Sequence, residues 1–116
     1  MQPLILQKKA EIFLNSTLYP LLKNFPKAEK FSLSQELKQA CYRAIKNIMV
    51  YNSMKGDKKI QYLHMVDGDL KLLLVLVGVA RSQKYITEKK ALELQEKISE
   101  LGRITGGMIK SHSVKK

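Results

Sequence analysis

The chain has 116 residues, a length that suits one compact domain, and 45% of them are hydrophobic, which excludes wholesale disorder. Lysine and arginine number 21 against 10 acidic residues, and the formal net charge is +11. This excess predicts affinity for polyanions, with nucleic acid as the first candidate and an anionic membrane surface as the second.

The first predicted helix covers residues 4–24 and begins within the stretch MQPLILQKKAEIF. The short apolar run of this stretch precedes two lysines, which is the reverse of the order in a signal peptide. The single Cys41 excludes an internal disulfide and fits a reducing compartment, so we expect a cytoplasmic protein. Pro20 lacks a backbone N–H and is expected to kink this helix or to separate its last turn.

The second predicted helix covers residues 32–53 and carries an apolar stripe at i, i+3, i+4 spacing. Ser32 followed by Gln35 is typical of a capping box, with Ser34 as the alternative N-cap. The polar segment around Gly56 is expected to end this helix.

The third predicted helix covers residues 59–83 and includes LKLLLVLVGVA, the most apolar run in the chain. This run is too short for a membrane span, which needs about 20 apolar residues. On a helix its apolar residues fall on two flanks, although a monomeric bundle needs only one apolar stripe. We expect the first flank to face the core and the second to contact another copy of the chain; the alternative is that a long first helix covers the second flank. The first flank consists of Leu63, Val66, Leu70, Leu73, Leu74 and Val77, and the second of Met65, Leu72, Val75, Leu76 and Val79.

The fourth predicted helix begins at Thr87, a good N-cap, and continues to about Lys110. Gly102, Gly106 and Gly107 are costly inside a helix, at about 1 kcal/mol each relative to alanine. We expect these glycines to allow the close approach of a packed helix; the alternative is that the last two end the helix.

Short breaks between long helices predict an all-α fold, an up-down-up-down antiparallel four-helix bundle. The bundle is expected to form one domain, residues 1–112, followed by a basic tail, residues 113–116. Antiparallel neighbours place Arg103 opposite Asp67 and Arg43 opposite Asp69, so both are predicted to be ion pairs between helices. Both arginines are then structural rather than ligand-binding.

The other basic residues are scattered along the chain, and no dense run of them marks one site. We expect salt-sensitive, weakly sequence-specific contacts with phosphates, which a ring of subunits would strengthen by repeating each charge. The candidate nucleic-acid contacts are Lys46, Lys71, Arg81, Lys84 and Lys110.

No motif predicts catalysis, a cofactor or a metal site. The sequence contains no P-loop, GxGxxG, HExxH or GxSxG. His64 and His112 are its only histidines and lie far apart in the chain. The enzymatic alternative is a small enzyme or enzyme subunit that uses carboxylates of the third and fourth helices, Asp67 among them.

Three segments resemble a known family. LYPLLKNFPKAEKFSLSQELKQACYRAIKNI is similar to the opening of the small four-helix-bundle proteins that include the 23S ribosomal intervening-sequence proteins. ELGRITGGMIKS resembles the last helix of one branch, the accessory variability determinant (Avd) proteins of diversity-generating retroelements, which typically reads I-G-R-x-L-G-G-W-I. Met108 and Thr105 depart from that pattern. VDGDLKLLL resembles the family's third helix, with Leu74 where a basic residue is often found.

The resemblance implies a non-enzymatic accessory factor without a cofactor, which assembles as a basic, barrel-like homopentamer. It also implies binding to the retroelement's reverse transcriptase and to its template RNA or DNA, in support of the mutagenic copying of a template repeat into a variable gene. The alternatives are an intervening-sequence-type bundle protein of unknown role, a generic basic nucleic-acid-binding scaffold, and a protein of anionic membrane surfaces.

Overall fold

The computed structural model describes the backbone of residues 2–114 and the side chains of residues 4–112. In this part of the chain all regular structure is helical, and four long helices pack around one core. The predicted all-α bundle of four helices is therefore confirmed. The helices are α1 (residues 2–22), α2 (Leu33–Ser53), α3 (Ile60–Ser82) and α4 (Glu88–Val114), and short 3-10 turns lie at Lys27–Glu29 and Asp57–Lys59.

The order of packing follows the order of the chain. Helix α2 packs against α3, α3 packs against α4, and α1 packs against both α2 and α4. Helix α1 therefore lies diagonally across the bundle from α3. Because consecutive helices are antiparallel, the α1–α2 and α3–α4 connections lie at the same end of the bundle, which we call the loop end (residues 23–32 and 83–87).

Helix α1 changes its hydrogen bonding just before Pro20. It is α-helical over Gln2–Ile12, π-helical over Phe13–Leu18, and α-helical again over Tyr19–Leu22. The N–H of Tyr19 donates to the carbonyl of Leu14, five residues back, so the helix is locally widened. A proline ring clashes with the carbonyl four residues before it, and the wider turn relieves that clash. Pro20 was predicted to kink the helix or to separate its last turn; its effect is this π-helical segment, and the helical backbone continues to Leu22.

The core consists of one apolar stripe from each helix. In α3 this stripe is the predicted first flank: Leu63, Val66, Leu70, Leu73 and Val77 are buried, and Leu74 is half-buried. The 3.6-residue period of the sequence therefore identified the side of α3 that faces inward.

The two predicted N-caps differ in outcome. Thr87 caps α4 as expected, since its Oγ1 accepts a hydrogen bond of 3.0 Å from the N–H of Lys90. Ser32 occupies the N-cap position of α2, but its side chain caps no backbone N–H. The carboxylate of Glu29 accepts the hydrogen bond from the N–H of Leu33 instead, at 3.2 Å. A charged acceptor in the preceding 3-10 turn replaces the predicted capping box.

Helix α4 passes through its glycines without a break and extends to Val114, so the alternative that Gly106 and Gly107 end the helix is wrong. A Cβ atom added at Gly102, Gly106 or Gly107 would meet no atom within 4 Å outside its immediate surroundings. The same holds for Gly78 in α3. No helix of the same chain therefore approaches these glycines closely, contrary to the prediction. The last two residues of the predicted basic tail, 115 and 116, lie outside the described part of the chain.

Candidate functional site

The second flank of α3 forms an apolar strip on the outside of the bundle. Val75 is 63% exposed, Met65 and Val79 are also exposed, and Leu72 and Leu76 are half-buried. We call these five residues the α3 face. Helix α1 does not cover them, because it lies on the far diagonal; the alternative of a covering first helix is wrong. Burial of such side chains is worth roughly 1.5–3 kcal/mol each, so the exposed strip is a natural contact surface.

A second apolar strip, which was not predicted from the sequence, lies on α1. Leu4 and Ile5 are exposed, and Ile12 is 52% exposed, with Lys8 among them. We call these four residues the α1 face. The signal in the sequence is the spacing of Leu4, Lys8 and Ile12, each four residues apart on one side of a helix. The two apolar faces lie on diagonally opposite helices and therefore point away from each other.

One of the two predicted ion pairs forms. Arg43 Nε in α2 donates to Asp69 Oδ1 in α3 over 3.1 Å. The arginine head remains partly in solvent, whereas the Asp69 side chain is only 14% exposed. Arg43 is therefore structural, as expected: it neutralises a carboxylate at the α2–α3 contact.

The other predicted pair does not form, and both of its members have different partners. Arg103 Nη2 lies 3.2 Å from the carboxylate of Glu96, seven residues earlier in the same helix. Asp67 accepts from Lys71, one turn later in α3, at 2.9 Å. Arg103 is 64% exposed and lies on the solvent side of α4. Equal height along two helices does not fix their rotation about the axis, which explains the error.

The five candidate nucleic-acid contacts do not form one site. Lys71 and Arg81 are each held by a carboxylate of the chain. Lys46 lies midway along α2, and Lys110 lies near the end of α4 that is opposite to the loop end. The structure brings only Arg81 and Lys84 together, at the loop end, where both line a cavity of about 690 Å³.

The surface nevertheless carries a surplus of uncompensated positive charge. Six of the ten acidic residues are held in ion pairs, so few carboxylates are left to offset the remaining lysines. Among the described residues, the lysine side chains without an ion pair, hydrogen bond or ring contact are Lys8, Lys23, Lys27, Lys46, Lys55, Lys58, Lys84, Lys89, Lys97 and Lys110.

Glu29 ties the two connections of the loop end together. Its Oε2 accepts a hydrogen bond of 2.8 Å from the hydroxyl of Tyr85, and its Oε1 accepts from Ser32. These bonds, that from Ser32 first, hold the pKa of Glu29 below its ordinary value, and the pKa of Tyr85 is raised chiefly by its bond to the carboxylate. The Tyr85 ring also packs against Phe25, with ring centroids 5.6 Å apart. The position of the α1–α2 connection is thus fixed by the α3–α4 turn.

Lys84 has an unusual backbone conformation. Its φ of +65° lies in the left-handed region, where glycine is favoured. Its N–H donates to Arg81 O at 2.9 Å, and the N–H of Tyr85 donates to Ala80 O at 2.9 Å. This is a Schellman motif with lysine at the position that glycine usually occupies. The side chain of Lys84 has no ion pair, hydrogen bond or ring contact among the described residues.

At the other end of the bundle, His112 fastens the end of α4 to α2. The hydroxyl of Tyr51 and Nε2 of His112 are 2.6 Å apart, and Lys59 Nζ lies 4.7 Å from the centre of the Tyr51 ring. Burial raises the pKa of the Tyr51 hydroxyl. These contacts give His112 a structural role that the sequence analysis had not assigned.

Other kinds of site find little support among the described residues. Within residues 2–114, no helix is long and apolar enough to cross a membrane. No group of three or more His, Cys, Asp and Glu side chains in the described part of the chain is placed to hold a metal ion. Burial raises the pKa of the Cys41 thiol to about 12, which makes it a poor nucleophile at neutral pH.

The fold and surface define a small, basic four-helix-bundle protein with apolar faces on two opposite helices. Over residues 4–112 the sequence matches the bAvd-like family, and the chain belongs to that family. The resemblance to the Avd branch is thereby confirmed. A solved structure with the same fold is a protein of unknown function from the S23 ribosomal protein family of Bacteroides thetaiotaomicron. It is 16% identical, and the alignment has a TM-score of 0.85 and covers 95% of this chain and 99% of that one. No curated protein matches the sequence.

Proposed function

We propose that the chain is a non-catalytic, cytoplasmic accessory protein of a diversity-generating retroelement. It binds the reverse transcriptase of the element and the template RNA or DNA as a ring-like homo-oligomer, a pentamer in the family it resembles. Its mechanism is scaffolding: by holding polymerase and template on one particle, it raises their effective concentration for mutagenic copying.

The observation that carries the proposal is the exposed α3 face in a chain of the bAvd-like family. On this side of α3 the bundle leaves Met65, Val75 and Val79 exposed and covers Leu72 and Leu76 only in part. Covering such a strip removes apolar surface from water, which is favourable. A second copy of the same chain is always present to cover it.

The placement of the two faces supports a ring rather than a two-fold dimer. The α3 face and the α1 face lie on diagonally opposite helices, so one copy can offer its α1 face to the α3 face of the next. Such head-to-tail contacts form a row of subunits, with an unpaired α1 face at one end of the row and an unpaired α3 face at the other. A ring closes when the last subunit meets the first.

The uncompensated lysines support nucleic acid as a partner. They are spread over the loops and over the exposed sides of the helices, a distribution suited to phosphates rather than to base edges. Repetition of each lysine around a ring builds a strong positive field from modest patches. We expect binding that weakens steeply as salt rises and varies little with sequence.

Co-purification with the reverse transcriptase of the same retroelement tests the proposal. The polymerase is captured by an affinity tag, with and without nuclease treatment, and the retained chain and template RNA are measured. Retention of the chain after nuclease treatment, and of template RNA without it, is the expected result. Absence of both the chain and the RNA from the captured polymerase contradicts the proposed function.

A further inference from the structure

The loop end has the features of a binding platform. The contacts of Glu29 and Phe25 with Tyr85 hold its two connections in one arrangement. The two connections are therefore held against each other before any ligand arrives, which lowers the ordering cost of binding.

Phe31 projects from this end into solvent. It is 82% exposed, the greatest exposure among the large apolar side chains described. Its immediate neighbours Lys30 and Ser32 are also exposed, so it belongs to no apolar patch of its own loop. Lys30 Nζ lies 5.4 Å from the centre of the ring. The result is a single flat apolar surface with a cation beside it.

A basic groove starts at the loop end and runs along α1 and α4. Two cavities, of about 690 Å³ and 260 Å³, adjoin there and share Leu21, Asn24 and Lys90 in their walls. Lys84 lines the first cavity, Lys97 lines the second, and neither lysine has a partner within the described chain.

The groove also contains two carboxylates, and both are already neutralised. Glu88 lies 3.2 Å from Arg81, and Glu93 lies 3.7 Å from Lys90. The groove as a whole therefore attracts anions, with Lys84 and Lys97 as its uncompensated charges.

We infer that the loop end binds single-stranded nucleic acid, with an unpaired base stacked on Phe31 and backbone phosphates held by Lys84 and Lys97. This inference rests on the proposed function and assigns its nucleic-acid contacts. Aromatic side chains combined with a basic groove are the usual means by which proteins bind single strands. A duplex hides the faces of its bases from Phe31, so single strands are preferred.

An anionic membrane is the competing partner for a phenylalanine beside lysines. It fits less well, because membrane insertion gains from several adjacent apolar side chains, whereas Phe31 is flanked by exposed polar residues. The exposed apolar residues Leu4 and Ile5 lie near the start of α1, at the opposite end of the bundle.

Fluorescence anisotropy with a labelled single strand of about a dozen nucleotides and with its duplex tests the inference. Phe31→Ala is expected to weaken single-strand binding by about fivefold or more and to leave duplex binding unchanged. Leu92→Ala, which also removes an exposed apolar side chain, is the matched control and is expected to change neither single-strand binding nor duplex binding. Lys84→Gln and Lys97→Gln are expected to weaken single-strand binding and to reduce its salt dependence.

Phe31→Trp adds a direct readout, because the chain contains no tryptophan. The single strand is expected to quench the introduced indole while affinity is retained. If the wild type binds the strand with steep salt dependence but Phe31→Ala binds equally well, the platform is wrong and the proposed function survives. If the wild type binds neither the single strand nor the duplex, the loop-end platform and the proposed function are both wrong. If the single strand does not quench the indole, and vesicles of anionic phospholipid shift the indole emission to the blue, residue 31 contacts a membrane and the inference is wrong.

Discussion

Arg43 in α2 and Asp69 in α3 form the one ion pair that joins those two helices among the described residues, with Nε and Oδ1 3.1 Å apart. Arg43→Met leaves the largely buried carboxylate of Asp69 without its partner. We expect a loss of about 1 kcal/mol in the free energy of unfolding, measured by urea denaturation.

Arg103→Met is the matched control for that variant. Arg103 and its partner Glu96 are 64% and 74% exposed, and an ion pair so exposed contributes little. We expect a change of less than about 0.5 kcal/mol. Equal losses for the two arginines would contradict the distinct roles assigned to them.

Lys84→Gly is expected to stabilise the fold. The backbone of Lys84 has a φ of +65°, and glycine adopts this conformation without the steric cost of a Cβ atom. We expect a gain of about 1 kcal/mol in the free energy of unfolding. Gln83→Gly, at a neighbouring φ of −81°, is the control and is expected to lose stability. A loss for Lys84→Gly shows that the lysine is held by contacts rather than strained.

Glu29 is expected to make stability depend on pH in the acid range. Hydrogen bonds in the fold lower the pKa of Glu29 below its ordinary value of 4.5. Its stabilising effect is therefore complete above about pH 4.5 and is lost as the pH falls through the lower, folded-state pKa. The difference in melting temperature between the wild type and Glu29→Gln is expected to be largest near neutral pH and to shrink on acidification.

Asp57→Asn is the control for that measurement, because Asp57 is an exposed carboxylate at the opposite end of the bundle. We expect it to melt close to the wild type throughout the pH range. A constant difference between Glu29→Gln and the wild type at every pH would refute the role assigned to the carboxylate charge.

Head-to-tail assembly predicts that a charge on either apolar face prevents growth. Val75→Lys damages the α3 face, and Ile12→Lys damages the α1 face. Both side chains are more than half exposed, so each variant is expected to keep its helical circular dichroism and become monomeric in light scattering. Leu92→Lys, an exposed position on α4, is the control and is expected to assemble like the wild type.

A mixture of the two monomeric variants distinguishes the type of interface. The intact α1 face of Val75→Lys can bind the intact α3 face of Ile12→Lys, and the two damaged faces then stop further growth. We expect a one-to-one complex of the two variants. If each face instead pairs with its own copy, the mixture contains no such complex.

The sequence predicted the features of the fold that depend on periodicity. The spacing of Leu63, Val66, Leu70 and Val77 is set along the chain itself, so it identifies a helix and its buried side. Thr87 was predicted correctly for the same reason, since an N-cap acts on the next turn of its own helix.

Features that depend on how helices are rotated against each other were predicted only in part, since the Arg43–Asp69 pair forms and the Asp67–Arg103 pair does not. The Asp67–Arg103 pair was predicted from the antiparallel order of the helices alone, yet Arg103 lies in solvent, because packing sets the rotation of α4. Glu29 and Tyr85 are far apart in the chain, and only the meeting of two loops brings them together. The groove that starts at the loop end was not predicted for the same reason, because its lysines come from the α3–α4 turn and from α4, and only the packing of the helices brings them together.

The central claim is that another copy of the chain covers the α3 face. Multi-angle light scattering of the wild-type protein at micromolar concentration tests it most directly. A single species with several times the 13.3 kDa mass of the chain is the predicted result. A stable species of 13.3 kDa, with Val75 in solvent, would contradict the claim and the ring built on it.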